Sequence, residues 1–242
     1  MQLHQWLVLG AFLSVGCATI PNQPSTANFV EPLRPYVQNV AATLQNVPAE
    51  RKAMLDQIAA TAYDLLASGK DANMTFICTH NSRRSHMSQI WAQTAACFYG
   101  LDRVHAYSGG TEATACNCRT VAAMRRAGFS IVNTTEGTNP VYLVQYSDEH
   151  LPVRAYSKLY NADGNPTQDF IALMTCSQAD KTCPIVKGAV ARYAIHYVDP
   201  KLCDDTPDEP VAYSERCLEI AREMFYIMAR IREHIDANAG KR

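Results

Sequence analysis

Four short strand-like runs constrain the fold of this 242-residue chain more than any other feature. They are residues 74–78, 103–108, 170–175 and 191–197. Met74-Thr75-Phe76-Ile77 and Phe170-Ile171-Ala172-Leu173-Met174 are nearly continuous in apolar character, unlike a strand with one wet face. Helical patterns follow: about 86–98, about 117–127, and a last one about 209–235 that carries Leu218, Met224, Phe225, Met228, Ile231 and Ile235. Strands that are apolar on both faces and alternate with helices predict an α/β fold, with a parallel sheet covered on both sides. In such sheets ligands bind beyond the carboxyl ends of the strands.

Cys78 stands at such an end, and the stretch Cys78-Thr79-His80-Asn81-Ser82-Arg83-Arg84-Ser85 leads from strand to helix. A polar loop opening a helix directs its free N–H groups to one place, where the helix dipole also favours negative charge. Such a field lowers a cysteine pKa from about 8.5 towards neutrality, giving a nucleophilic thiolate. Arg84, six residues on, offers a planar fork for two oxygens of a tetrahedral oxyanion. The loop therefore predicts oxyanion binding by Thr79, His80, Asn81, Ser82, Arg83, Arg84 and Ser85 around a Cys78 nucleophile.

Three further stretches fall on the same sheet edge. Cys176 and Cys183 bracket a polar segment before Pro184, and can pair if the loop or short helix between them unwinds. Asp199-Pro200 follows the last strand; alone it reads as a turn, and its position beside Cys78 makes Asp199 a candidate acid. Ser108-Gly109-Gly110-Thr111 ends the neighbouring strand, where glycines permit close backbone approach.

The formal net charge of −1, without like-charged blocks, gives no sign of a nucleic-acid partner. Nine cysteines are an odd number, and a chain this long and apolar needs no disulfide scaffold. Cys97, Cys203 and Cys217 read as small buried hydrophobes, and Cys116 and Cys118 as incidental, since two ligands make a poor metal site. No metal and no cofactor is called for.

Residues 1–26 read as a separate segment: Leu7 to Leu13 is a short apolar core, followed by Ser14-Val15-Gly16-Cys17 and a polar tail. It resembles a bacterial secretory signal ending in a lipoprotein site, with Cys17 lipidated, and is short for a membrane span. Export and anchoring on the periplasmic side are expected, with a cytoplasmic protein as the alternative. Residues 27–70 predict an N-terminal helical extension in two pieces divided near Pro48, and 71–242 the α/β domain. Within that domain an insertion of about 137–168 predicts a hairpin, strands 141–146 and 153–157, expected to decorate the sheet.

Cys78 to Ser85 resembles the loop of low-molecular-weight protein tyrosine phosphatases, a C-x5-R-S sequence with Asn at its fourth position. The Ser108 to Thr111 turn with Asn117, then Asp199-Pro200 before a long final helix, keep that family's order. The resemblance implies a three-layer α/β/α fold with a short, flavodoxin-like parallel sheet. Cys176 to Pro184 is similar to the redox segment of the thioredoxin-coupled arsenate reductases that share this fold. What this implies is arsenate reduction: Cys78 attacks, Arg84 holds the oxyanion, Asp199 protonates the departing oxygen, and Ser85 and Asn81 support thiolate and loop. Cys176 and Cys183 would then pass the oxidation to a thioredoxin-like reductant. Phosphomonoester hydrolysis through Cys78, Arg84 and Asp199 alone is the alternative. His80 and Arg83 depart from the family's usual Gly and Cys; strain is expected at His80 if its φ is positive, and extra positive charge from Arg83.

Overall fold

The computed structural model describes residues 25–240. At its centre lies β1 (Ala72–Cys78), buried at every position but Asn73. Strands β2 (Val104–Gly110), β3 (Ser130–Asn133), β4 (Tyr142–Gln145), β5 (Val153–Ala155), β6 (Phe170–Met174) and β7 (Ala189–Ala194) follow. Four of them form one parallel sheet in the order β2-β1-β6-β7. Register sets Cys78 opposite Gly110 and Ile77 opposite Met174, so the ends of β1, β2 and β6 lie level.

The helices are α1 (Arg34–Ala42), α2 (Ala49–Ala67), α3 (Arg84–Phe98), α4 (Cys118–Arg126), α5 (Ser177–Thr182) and α6 (Glu209–Asn238). The pleat sends Met74, Phe76, Ile171 and Leu173 into one core with α1, α2, α3, α4 and α6. Ile77, Phe170, Ala172 and Met174 enter a second, smaller core under α5. The fold is therefore α/β in three layers, one thick with helices and one made chiefly of a single short helix.

The helices of residues 27–70 share the main core. Leu33, Val37, Val40, Leu55 and Ile58 are fully buried there, and Tyr36 stacks on Trp91 with ring centroids 5.3 Å apart. Chain breaks fall at prolines: Pro32 and Pro35 lie in the first turns of a 3-10 segment and of α1, and Pro48 precedes α2. The expected hairpin is present as β4 and β5, antiparallel. β3 joins it to make a separate three-stranded sheet, which the sequence reading left unassigned. Its burial alternates too weakly for a strand signal, since only Ile131 of its four residues is buried.

Candidate active site

The loop after β1 is held from outside by its carbonyls. Thr111 N–H donates to Cys78 O (3.1 Å), Glu112 N–H to Thr79 O (2.8 Å) and Asn117 N–H to Ser82 O (3.0 Å). His80 O accepts from the hydroxyls of Ser157 (2.8 Å) and Thr114 (3.2 Å). With the carbonyls engaged outward, the N–H groups of residues 80–85 have no protein acceptor among the described residues. Orphan donors gathered at a helix start are an arrangement that favours negative charge.

Asn81 gives the loop its turn. Its φ is 44°, a left-handed conformation that Asn tolerates better than most residues. The buried amide donates through Nδ2 to Ser85 Oγ (2.9 Å) and accepts at Oδ1 from Lys158 N–H (3.0 Å). Ser85 Oγ lies 3.1 Å from Cys78 Sγ. Because Asn81 donates into Ser85 Oγ, the hydroxyl hydrogen is left for the sulfur. The positive φ thus falls on Asn81; His80 has none, and its exposed ring faces Glu112 at 3.3 Å.

Gly110 explains the glycine pair. A Cβ there would stand 2.2 Å from Glu112 O, 2.7 Å from Thr79 O and 2.8 Å from Asn81 N. Beyond it, segment 157–160 runs beside the end of β2, with Gly110 N–H donating to Lys158 O (2.8 Å) and Tyr160 N–H to Gly110 O (3.0 Å). The insertion expected as decoration is therefore a brace. Through Ser157 and Lys158 it grips His80 and Asn81 directly. Backbone and hydroxyl contacts of this kind leave no mark in a sequence, which is why these two residues were missed.

Arg84 opens α3, with Nη1 donating to Tyr197 O (3.0 Å) and Nη2 to Asp199 Oδ2 (2.6 Å). Its Nε is buried without a partner among the described residues. Asp199 Oδ1 accepts from Lys201 N–H (3.1 Å), so the Asp-Pro is both a turn and a carboxylate fixed on Arg84. Arg83 turns to α6: its Nε donates to Tyr213 Oη (2.7 Å) and Nη2 to Asp204 Oδ2 (3.1 Å). Its charge is matched by Asp204, so the extra field expected from it at the oxyanion site is largely spent on that carboxylate. Burial pushes Arg216 below its usual pKa, with nearby Arg84 adding to the effect.

Tyr197, whose carbonyl holds Arg84, is fixed by buried charges. Its hydroxyl donates to Glu223 Oε2 (2.6 Å), and Arg51 grips Glu223 in bidentate fashion, Nε and Nη2 both at 2.6 Å. Burial, then the Glu223 charge, holds the Tyr197 hydroxyl well above the usual tyrosine range. Under the loop, burial pushes His86 down to about 3, keeping the imidazole neutral.

The second thiol is close. Cys176 caps α5, its Sγ accepting from Ala179 N–H (3.4 Å), and lies 3.4 Å from Thr79 Oγ1. Cys183 is the other cap of α5. Cys78 and Cys176 are members of the small core, with Cys183 packed on its edge, and all three are free thiols. Cys116 and Cys118 flank the turn that receives Ser82; burial pushes Cys116 up to about 12. Cys17 lies outside the described residues.

Comparison with known proteins matches residues 73–146 to the low molecular weight phosphotyrosine protein phosphatase family. Arsenate reductase 2 of Staphylococcus epidermidis is 30% identical over 125 residues, 52% of this chain and 76% of that protein. An arsenate reductase of Bacillus licheniformis is 30% identical over 141 residues, 58% of this chain and 83% of its own. The chain belongs to the low-molecular-weight phosphatase superfamily. The phosphatase from Vibrio cholerae O395 superposes with a TM-score of 0.46 at 12% identity, over 67% of this chain and 98% of that one. The part matched to the phosphatase family includes Cys78, Arg84 and the Ser108–Thr111 turn; Cys176, Cys183 and Asp199 lie beyond it. As a member of this superfamily the chain is an enzyme of the cysteine-dependent, oxyanion-handling kind.

Proposed function

We propose that the protein is a thiol-dependent arsenate reductase. The observation that carries this reading is the gathering of three free thiols, Cys78, Cys176 and Cys183, about one small core at the carboxyl edge of the sheet. Hydrolysis would use only the first.

In this mechanism the loop N–H groups and Arg84 hold arsenate, displacing Asp199 from the guanidinium fork. The Cys78 thiolate attacks arsenic, Asp199 gives its proton to the departing oxygen, and water leaves. Ser85 steadies the sulfur and Asn81 the loop. Cys176 then attacks Cys78 Sγ; the S–As bond breaks, its electron pair stays on arsenic, and arsenite departs from a Cys78–Cys176 disulfide. Cys183 attacks Cys176, releasing the Cys78 thiolate and leaving a Cys176–Cys183 disulfide for a thioredoxin-like dithiol. The two electrons gained by arsenic are those lost by two thiols.

Residues 7–17 support export with a lipid on Cys17. The reductant would then be a thioredoxin-like protein on the periplasmic side.

Phosphomonoester hydrolysis is the second reading, favoured by the Arg84–Asp199 pair at the loop, which is complete without a second thiol. A paired assay separates the two: arsenite formation with thioredoxin and its reductase, and release of an aryl phosphate's alcohol. Reduction requires arsenite from the wild type and none in steady state from Cys176→Ser or Cys183→Ser. Robust aryl phosphate turnover with no arsenite would establish the hydrolase instead.

A further inference from the structure

Cys176 and Cys183 cannot pair while α5 is intact. A helix rises about 1.5 Å per residue, so the seven steps between them span about 10 Å. A disulfide needs Cα atoms about 4.4–6.8 Å apart. Forming the bond therefore means unwinding α5, and the energy that holds α5 wound opposes oxidation.

Much of that hold comes from one side chain on β7. Arg192 Nη2 donates to three acceptors of the α5 segment: Asp180 O (2.8 Å), Asp180 Oδ1 (2.5 Å) and Cys183 O (3.1 Å). The last is the carbonyl of the resolving cysteine itself. Asp180 Oδ2 is met from the same side by His196 Nε2 at 3.0 Å. α5 is only six residues long, too short to persist on helix propensity. Its apolar anchor is slight, since Ala179 is the only buried residue within it. Tyr160 packs against the same small core as Cys183.

We propose that Arg192, with Asp180, is a latch that holds the Cys176–Cys183 pair in its dithiol form and thereby sets the pair's reduction potential. Arg192 is a positioning residue: it touches neither oxyanion nor Cys78 sulfur and acts through the winding of α5. The latch stabilises the reduced state alone, so its loss favours the disulfide. It rests on the relay proposed above.

The test is a redox titration of the full chain, wild type and Arg192→Met, in dithiothreitol buffers of graded potential. The Cys176–Cys183 state is read by alkylation and mass spectrometry. Removing the latch is expected to favour the disulfide on the order of tenfold, a midpoint about 30 mV more negative for a two-electron couple. Arg192→Lys, which keeps charge without the fork, is expected to fall between. Asp180→Asn serves as an independent variant should Arg192→Met fold poorly, with the same direction expected. Aryl phosphate turnover by Cys78, which does not need α5 to unwind, reports that the loop is intact. A midpoint unchanged or more positive in folded variants, with the disulfide forming, overturns the latch and leaves the relay standing. Failure of the wild type to form the disulfide at any potential overturns both.

Discussion

Replacing Arg51 by Met tests how the N-terminal helices support the site. Arg51 lies on α2, yet its bidentate partner Glu223 is on α6, and Glu223 is 2% exposed while Arg51 is 19% exposed. The same carboxylate accepts from Tyr197 Oη, and Tyr197 O in turn accepts from Arg84. Removing one partner of a buried ion pair costs about 3–5 kcal/mol, most of it the uncompensated charge left behind. Arg51→Met strands Glu223 with one hydroxyl donor, so a loss of about 3–5 kcal/mol is expected in urea unfolding at pH 7, followed by the fluorescence of buried Trp91. Adding Glu223→Gln should recover much of that loss, giving a coupling of about 2 kcal/mol or more in the double-mutant cycle. Turnover should fall as well, because the chain that carries Tyr197 and Asp199 loses its anchor. A loss below about 1 kcal/mol for Arg51→Met, or additive single effects, would refute the account of Glu223 as a buried charge kept in place by α2.

Other perturbations have equally definite outcomes. Gly110→Ala puts a methyl group 2.2 Å from Glu112 O and 2.7 Å from Thr79 O. It should displace the loop and lower kcat/KM by about a hundredfold, as misplacement of about 1 Å does, and steady-state kinetics would read it. Asp199→Asn should lower turnover about 10²–10⁴-fold, the range for loss of a general acid, with fluorescence-detected arsenate or phosphate binding retained. His86 is held down to about 3 by burial, whereas an unfolded histidine takes up its proton near about 6.5. The unfolded chain thus binds more protons between those values, and stability should fall with acid by up to about 1.4 kcal/mol per pH unit. His86→Gln should flatten that slope in urea melts from pH 7 to 4. Lys158 is pushed down to about 8, by burial and then by Arg154, so its cost to folding is full below pH 8 and fades as pH rises towards its ordinary 10.5. Lys158→Met should therefore stabilise the protein by up to about 3 kcal/mol at pH 7, an advantage that shrinks at pH 10 in the same melts.

The parallel sheet was legible because β1 and β6 are apolar on both faces, a composition that only a doubly covered sheet requires. Cys78, Arg84 and Asp199 could be placed at its edge because a strand's carboxyl end is fixed once the strand is. Arg84 and Asp199 in fact form an ion pair, and Cys176 lies within 3.4 Å of the loop's Thr79. What escaped the sequence is what backbone and long-range partners decide. Nothing in Ser157 or Lys158 announces that hydroxyl and N–H will brace a loop some 77 residues earlier. Arg83 reads as added charge until Tyr213 and Asp204 are seen to claim it. The helices of 27–70 read as an extension packed on the domain that follows; amphipathic periodicity shows that a face is buried, not that it shares the main core.

The most direct measurement of the proposed relay uses Cys183→Ser, in which the second disulfide cannot form. Reduced protein given arsenate without thioredoxin should release one arsenite per chain and stop, with Cys78 and Cys176 found joined in a single disulfide by peptide mass spectrometry. Continued arsenite release from this variant on adding thioredoxin at the wild-type rate, or a stoichiometric arsenite burst with Cys176 still a free thiol, would contradict it.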